Sequence, residues 1–344
     1  MFKAIKNDDK NNYDDIICET SKYVDTDKLS SINNKFCNDF KEAYKSITNE
    51  GEKLVISLSG GVDSMLCLYI AKFMGYDVNA FMINYLNRET SEHEQEFVTC
   101  WCNKLNVDLF IYRIDNLRRE RYSNVRSDYE EQTKQIRFSC YKSFNCKVIL
   151  GHNRDDCIEN IFSNLKKSRS YHNLKGMTHI SNINDVDILR PFLDITKSDI
   201  INCANMLNIP YLYDSTPEWS ERGQLRDILI PNIYSFNKNI IPNLLSYTHE
   251  MSDLFELLNN EINKLNIVNE TNVTYISGNI RNIKIFWRLL FNNLNINVNN
   301  KCIEQLIQNY EKLVLKKSRY VLGKMINMKI HNYNLLEINY NFEY

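Results

Sequence analysis

Two short stretches of the chain bring together side chains that could do chemistry. The first, S-G-G-V-D-S at residues 59–64, has two glycines, two hydroxyls and one carboxylate. Glycines let backbone N–H groups approach an anion, and a helix beginning there points its positive end at the same anion. Ser59 and Ser64 can donate hydrogen bonds to phosphate oxygens. Asp63 cannot bind phosphate directly, so its expected role is to hold Mg²⁺ against the phosphates.

The same loop has no lysine where most nucleotide-binding loops carry one. In the common pattern G-x-x-x-x-G-K-[ST], the lysine reaches the β- and γ-phosphates of the nucleotide. A loop without it suits pyrophosphate as a bound leaving group. We therefore expect attack at the α-phosphorus of ATP, with release of pyrophosphate and formation of an adenylate. The predicted nucleotide-binding residues are Ser59, Gly60, Gly61, Val62, Asp63 and Ser64.

The second stretch is L-G-H-N-R-D-D-C-I-E-N, residues 150–160. Asp156 and Glu159 are three positions apart, so they share one face of a helix. Two carboxylates where a strand gives way to a helix lie at the edge where open α/β sheets bind ligands. The alternative is an acidic helix N-terminus that the helix dipole favours and that has no catalytic role.

Strand and helix patterns alternate along most of the chain. The predicted strands lie in EKLVISLSGG, DVNAFMINY, VDLFIYRID, CKVILGHNRDD and VDILRPFLDI. The predicted helices lie in DSMLCLYIAKFMGY, SEHEQEFVTCWCNKLN, YEEQTKQIRFSCYKSF, DDCIENIFSNLKK and KSDIINCANMLNI. This alternation predicts a doubly wound α/β domain with a parallel sheet.

The 344 residues suffice for two domains of ordinary size. We predict an N-terminal extension over 1–45 with a helix near KFCNDFKEAYKSI, a catalytic α/β domain over 46–240, and a smaller, mainly helical domain over 241–344. Two amphipathic stretches support the helical assignment of the last part, NLLSYTHEMSDLFELLNNEINKL and IRNIKIFWRLLFNNL.

Composition excludes several classes of protein. The net charge of −1 gives no global basic signal for nucleic acid, which leaves only a local patch. No apolar run approaches the roughly 18 residues of a membrane span, and the acidic N-terminus is neither a secretory signal nor a transit peptide. The ten cysteines include no C-x-x-C pair, which argues against a zinc site. We expect a cytoplasmic protein with reduced thiols.

S-G-G-x-D-S directly after a strand resembles the signature of the PP-loop ATP pyrophosphatases. Within that superfamily, residues 150–160 resemble the G-H-x-x-D-D-x-x-E-T element of tRNA(Ile)-lysidine synthetases and tRNA thiolases, with Asn160 for Thr. TKQIRF resembles their R-x-x-R-Y element, with Lys134 and Arg137 in the basic positions and Phe138 for Tyr. The resemblance implies an adenine nucleotide alpha hydrolase-like fold.

Three further stretches are similar to lysidine synthetases. LRPFLDITKSDIINCANMLNIPYLYDST resembles their R-P-L-L segment, helix and W-x-x-D-x-(S/T) turn. SERGQLRDILIP resembles R-N-x-x-R-x-x-x-x-P, with Arg222, Arg226 and Gly223 in place of Asn. INYLNRETSEHE resembles V-D/N-H-G-L-R-x-x-S, with Tyr85 and Leu86 in place of His and Gly. The resemblance covers about residues 52–235.

The resemblance implies an ATP- and Mg²⁺-dependent ligase that modifies the wobble cytidine of tRNA(Ile). ATP would adenylate the carbonyl oxygen at carbon 2, and the ε-amine of free lysine would then displace AMP to form lysidine. In lysidine synthetases the second aspartate and the glutamate help to hold lysine, which implies that role for Asp156 and Glu159. Arg137 would pair with the lysine carboxylate or with nucleotide phosphates. The predicted catalytic residues are thus Asp63, Asp156, Glu159 and Arg137.

Contacts to tRNA are expected from arginines on phosphates and aromatic side chains on unstacked bases. Arg222 and Arg226 are the main candidates. The most basic stretch, NLKKSRSYHNLKG, adds Lys166, Lys167 and Arg169, although a solvated helix end explains it equally well.

Two other functions remain open at this point. A tRNA thiolase would use the same adenylation, but those enzymes generally use paired cysteines near the arginine element, where this chain has only Cys140. A degenerate, non-catalytic tRNA-binding relative would fit the altered NYLN turn. The intact loop, Asp156 and Glu159 argue against the non-catalytic relative. Whether it works as a monomer or a homodimer is left open.

Overall fold

The computed structural model describes residues 35–49, 51–86, 89–114, 123–167, 174–213, 220–323 and 326–340. The chain divides into two compact units, Met1–Leu245 and Ser246–Tyr344. The division lies within one long helix, Ile240–Asn263. We treat each unit by itself.

The first unit contains a six-stranded sheet. Its strands are β1 (Lys53–Ser57), β2 (Asp77–Asn84), β3 (Leu109–Arg113), β4 (Lys147–Ile149), β5 (Ile180–Ile183) and β6 (Val186–Leu189). Their order is β3-β2-β1-β4-β6-β5. All neighbouring pairs are parallel except β5 and β6, which form an antiparallel edge. The prediction of a doubly wound, mainly parallel sheet is confirmed, and β5 is an addition to it.

One helix precedes β1, and the other helices alternate with the parallel strands as predicted. The helices are α1 (Lys35–Lys45), α2 (Val62–Phe73), α3 (Ser91–Leu105), α4 (Ser123–Ser143), α5 (Arg154–Lys166) and α6 (Lys197–Met206). A final helical stretch comprises α7 (Glu221–Gln224), a π-helical turn (Leu225–Leu229) and α8 (Ile230–Phe236). Within the described ranges, no helix combines the length and apolarity needed to cross a membrane.

The central strand β1 is buried on both faces of the sheet. Leu54 and Ile56 belong to one apolar cluster, and Val55 between them belongs to another on the opposite face. Successive side chains of a strand point to opposite faces, so a strand covered on both sides needs an unbroken apolar run. The segment K-L-V-I-S supplies that run.

Helix α1 belongs to the core of this unit. Its Phe40 and Tyr44 are 1% and 0% exposed. The Tyr44 hydroxyl donates a hydrogen bond of 2.7 Å to the Cys67 carbonyl oxygen on α2. The part of the proposed extension from residue 35 onward therefore packs with the α/β domain, and residues 1–34 lie outside the described residues.

The second unit combines helices with an antiparallel sheet. After α9 (Ile240–Asn263), its elements are β7 (Asn266–Glu270), β8 (Val273–Ser277), α10 (Lys284–Asn293), α11 (Asn300–Lys316), β9 (Arg319–Gly323), β10 (Ile326–Asn332) and β11 (Leu335–Tyr340). The strand order is β7-β8-β11-β10-β9. Trp287, Leu306 and Ile330 lie in one apolar cluster and are fully buried. The amphipathic helices were predicted, whereas the five-stranded sheet was not.

Candidate active site

The two motifs of the sequence lie side by side because β1 and β4 are parallel neighbours. Their carboxyl ends lead into S-G-G-V-D-S and G-H-N-R-D-D, respectively. At Gly151 a Cβ atom would lie 3.0 Å from Asp63 Cβ and 3.1 Å from the Ser64 backbone nitrogen. Only glycine lets the two segments come this close without a shift of backbone. Both motifs thus lie at the edge where open α/β sheets bind ligands.

The first motif forms a turn with an uncapped helix behind it. Gly60 has φ of +81°, and a Cβ there would lie 2.8 Å from Leu212 Cδ1. The Gly60 carbonyl oxygen accepts a hydrogen bond of 2.9 Å from the Leu212 backbone N–H. Gly61 is the N-cap of α2, so no side chain satisfies the first N–H groups of that helix. Such free N–H groups at a helix start are a binding site for an anion.

The two serines of the loop have different positions. Ser64 is buried; its hydroxyl donates to the Gly61 carbonyl oxygen at 3.0 Å and accepts from the Ser59 backbone N–H at 3.1 Å. The Ser64 hydroxyl proton is therefore donated within the loop. Ser59 is exposed, and its hydroxyl lies 3.2 Å from Ser64 Oγ. The Val62 side chain is 4% exposed and packs in the core. Only the backbone of Val62 can therefore take part in binding by the loop.

Asp63 lies at the centre of a polar cluster. One carboxylate oxygen accepts a 2.9 Å hydrogen bond from Asn153 Nδ2, and the other pairs with Lys197 Nζ at 2.5 Å. Burial raises the pKa of the Asp63 carboxyl, and the charge of Lys197 acts against that rise. The Lys197 backbone N–H also donates to Asp155 Oδ2 at 2.7 Å, which ties the start of α6 to the start of α5.

Neither Asn153 nor Lys197 was among the predicted site residues. Asn153 caps α5: its side-chain oxygen accepts from the backbone N–H groups of Asp155 and Asp156. G-H-N-R-D-D carries the usual signature of such a cap, which could have revealed the position of Asn153. Nothing local in I-T-K-S-D marks Lys197 as a partner of a residue 134 positions earlier.

The predicted acidic pair is bridged by one arginine. Arg222 Nε donates to Glu159 Oε2 at 2.7 Å, and its Nη2 donates to Asp156 Oδ1 at 2.6 Å. The expectation that these two carboxylates share one helix face is confirmed. Burial raises the pKa of the Glu159 carboxyl, and Arg222 acts against that rise. Arg222, predicted to contact tRNA, thus lies on the carboxylates predicted to hold lysine.

Arg137 lies at the same edge of the sheet. Its Nε–H is buried and has no acceptor among the described residues. Burial raises the pKa of Tyr141 to about 12 and also raises that of Tyr85, while the nearby charge of Arg137 acts in the opposite direction on both. The Tyr141 hydroxyl lies 2.7 Å from Ser57 Oγ at the end of β1. A guanidinium with an unused, buried N–H in this place suits an anionic ligand.

The remaining predicted RNA contacts are dispersed. Arg226 lies in the π-helical turn, where its Nε donates to Asp227 Oδ1 at 3.1 Å. Lys166 pairs with Glu221 at 3.4 Å, and Lys167 caps the end of α5. Arg169 and the Y-D-S-T turn from residue 214 lie outside the described residues.

Similarity to known proteins decides the family. A profile of the PP-loop domain matches residues 32–233. The tRNA(Ile)-lysidine synthase of Chlamydia muridarum is 30% identical over 230 residues, covering 64% of this chain and 70% of the relative. The chain belongs to the tRNA(Ile)-lysidine synthase family of PP-loop proteins. The family member of Mycoplasma mycoides subsp. mycoides SC is 27% identical over 316 residues, covering 85% of this chain and 71% of its own. An alignment that covers 85% of this chain includes residues well beyond residue 235, where the resemblance seen in the sequence motifs ends.

The fold also has a counterpart among solved structures. The U34-tRNA thiolase NcsA from Methanococcus maripaludis, with its [4Fe-4S] cluster, superposes with a TM-score of 0.51 at 15% identity. The match covers 63% of this chain and 78% of the thiolase. At this identity the likeness shows the common fold of the family's catalytic part and nothing about the reaction.

Proposed function

We propose that this protein is a tRNA(Ile)-lysidine synthase, which uses ATP to adenylate the carbonyl oxygen at carbon 2 of the wobble cytidine and then joins lysine to that carbon. The observation that supports this most is the contact between the two motifs. Gly151 brings the helix carrying Asp156 and Glu159 against the start of α2 at Asp63. The proposed sites for the triphosphate and for a cationic amino acid would therefore share one edge of the sheet.

The surroundings of Asp63 fit a Mg²⁺ ion. Mg²⁺ in nucleotide sites is usually bound through one or two carboxylates, with phosphates and water supplying the other ligands. Asp63 offers such a carboxylate beside the free N–H groups of α2, and the Lys197 ammonium now pairs with it as a cation would. When bound there, Mg²⁺ would neutralise charge on the departing pyrophosphate. No group of three or more His, Cys, Asp or Glu in the described part of the chain could hold a metal without phosphate.

The loop residues would act in the first step. The N–H groups at the start of α2 and the Ser59 hydroxyl bind the β- and γ-phosphates. The cytidine O2 attacks the α-phosphorus, the bond to the β-phosphate oxygen breaks, and pyrophosphate leaves with that electron pair. Arg137, with its unused buried N–H, would bind an oxygen of the α-phosphate or the lysine carboxylate. Preorganised donors of this kind are effective because they need no reorganisation during the reaction.

The acidic pair would act in the second step by holding lysine. The ε-amine must be neutral to attack carbon 2, and from a pKa near 10.4 its deprotonation at pH 7 costs about 4–5 kcal/mol. Asp156 is the candidate base, since it contacts the same Arg222 guanidinium as Glu159. Both carboxylates are paired with Arg222 in the free protein, so lysine must displace that guanidinium from at least one of them. The Arg222 side chain is 57% exposed, and it can turn into solvent when lysine enters.

Incubation of the protein with ATP, labelled lysine and a tRNA whose wobble base is cytidine tests this function. Mass spectrometry of the digested nucleosides should detect lysidine with the label. The matched control is the same tRNA with uridine at the wobble position, which should gain no lysine. Labelled sulfur in the wobble nucleoside, or no change in it, would contradict the proposal.

Arg226→Ala is expected to weaken tRNA binding and to flatten its dependence on salt. If Arg226 neutralises one phosphate, its removal should lower the slope of log K against log salt by about one. Filter binding at several salt concentrations measures this slope. Lys104→Ala, at an exposed position in the last turn of α3, is the matched control. An unchanged slope would assign Arg226 to the neighbourhood of Glu159, whose carboxyl pKa its charge helps to lower.

A further inference from the structure

His152 has no role in the mechanism above, although it lies inside the second motif. It follows Gly151 directly, and Gly151 packs against the backbone of Asp63 and Ser64. The His152 side chain is therefore attached to the backbone next to the point where the phosphate loop and α5 meet. Its Nδ1 lies 3.2 Å from Arg190 Nε.

The second partner in that contact, Arg190, is held firmly. It is only 4% exposed. Its Nη1 donates to the Thr178 carbonyl oxygen at 2.9 Å and to Ser181 Oγ at 2.8 Å. Both acceptors lie on the segment that leads into or forms β5. The guanidinium thus points its Nε–H at the imidazole from a fixed position.

The Arg190 contact determines which imidazole nitrogen carries a proton. A guanidinium can only donate, so Nδ1 of His152 must accept with its lone pair. In a neutral imidazole the proton then lies on Nε2, which becomes a donor. Nε2 has no hydrogen-bond partner among the described residues. A second proton could be added only on Nδ1, directly against the Arg190 N–H.

The surrounding charges also favour the neutral ring. Burial lowers the pKa of His152, the Asp156 carboxylate acts against this, and Arg190, Arg222 and Arg137 lower it further. These charges come from α5, from the end of β6, from α7 and from α4. His152 is therefore a neutral N–H donor at neutral pH.

We propose that His152 donates its Nε2–H to a phosphoryl oxygen of the bound adenylate, that Arg190 is the positioning residue fixing this tautomer, and that His152 does not deprotonate lysine. This rests on the proposed adenylation. A phosphoryl oxygen is the acceptor because Gly151, the residue directly before His152, lies against the Asp63–Ser64 backbone at the anion-binding end of α2. The unused N–H of Arg137 lies at the same edge of the sheet.

Nuclear magnetic resonance of the full chain with ¹⁵N-labelled histidine tests the tautomer independently of catalysis. The chain has six histidines, and the signal missing from His152→Gln identifies the residue. We expect a protonated Nε2 and an unprotonated Nδ1 at neutral pH. Adding AMP should move the Nε2–H signal, and adding inorganic pyrophosphate alone should not. A protonated Nδ1, or a signal indifferent to AMP, would overturn the proposal.

Arg190→Lys and Arg190→Met separate positioning from folding. Lysine retains a donor and should keep the Nε2–H tautomer, whereas methionine should give a mixture of tautomers. Ser181→Ala, a milder change, loosens Arg190 without removing it and should shift the same signal. If the tautomer is unchanged in all three variants, Arg190 does not fix it.

Kinetics of His152→Gln and His152→Phe test the contact with substrate. The glutamine amide can accept from Arg190 and donate onward, so its tRNA-dependent pyrophosphate release should stay within about tenfold of the wild type. Phenylalanine loses the donor, and release should fall about 10- to 150-fold, as for other hydrogen bonds to charged groups. A general base would behave differently: both variants would lose lysine incorporation equally and keep pyrophosphate release. Failure of the proposed function would instead appear in the wild type, as tRNA that gains no lysine.

Discussion

Asp63→Asn is expected to abolish pyrophosphate release from ATP and to leave tRNA binding nearly unchanged. The substitution keeps the size of the side chain and its hydrogen bond from Asn153 Nδ2. It removes the negative charge that pairs with Lys197 and that is proposed to hold Mg²⁺. Loss of groups that merely support a metal ligand typically lowers activity 10- to 100-fold, so we expect a loss greater than about 100-fold here.

The measurement is tRNA-dependent pyrophosphate release, with tRNA affinity from filter binding on the same preparations. Asp108→Asn, an exposed aspartate at the amino end of β3, is the matched control and should behave like the wild type. Thermal unfolding of both variants shows whether the unpaired Lys197 has destabilised the fold. Equal rates of release in Asp63→Asn and the wild type would remove Asp63 from the reaction.

Glu159→Gln is expected to raise the KM for lysine far more than that for ATP. Glu159 is 5% exposed on α5 and is proposed to face a positive charge of the amino acid. Loss of a hydrogen bond to a charged group typically costs about 1.5–3 kcal/mol, which corresponds to roughly 10- to 150-fold in affinity. Pyrophosphate release should survive, because adenylation precedes the attack of lysine.

Arg222→Met completes this experiment, since it removes the cation that now occupies both carboxylates. If lysine must displace Arg222, the KM for lysine should stay the same or fall in this variant. If the ion pairs only hold α7 on α5, both variants should unfold at lower temperature and show the same lysine dependence as the wild type. In that second case Asp156 and Glu159 would have a structural role and would not bind lysine.

The sequence was sufficient for the central sheet and for the two motifs at its edge. β1 and β4 are short apolar runs that end in glycine turns, and each turn begins a helix with helical apolar spacing. Each of these signals lies within a short stretch of sequence, and each is a strong indicator of its strand, turn or helix. β5 was missed because its residues, I-S-N-I, are half polar and it pairs only at the edge, where alternation is weakly required. The C-terminal sheet was missed for a similar reason: β7 reads N-I-V-N-E and exposes most of its residues.

The electrostatic partners of the site could not be predicted in the same way. Lys197, Arg190 and Arg222 find their partners 134, 38 and 63 or 66 positions away along the chain. Which carboxylate or imidazole each meets depends on strand order and on helix packing, neither of which has a local signature. The resemblance to lysidine synthetases supplied Arg222 as a candidate and assigned it a contact with tRNA. Only the fold brings it onto Asp156 and Glu159.

The contacts that hold the phosphate loop determine when, during synthesis of the chain, the loop can adopt its binding geometry. Gly60 is held by the backbone of Leu212, and Asp63 by Asn153 and Lys197, so the groups that hold the loop all follow it by 90 residues or more. A nascent chain that has left the ribosome only as far as α4 carries the complete S-G-G-V-D-S segment without any of them. We expect such a chain to be unable to hold the loop in its binding geometry. Competence to bind ATP should then appear only after Leu212 has emerged.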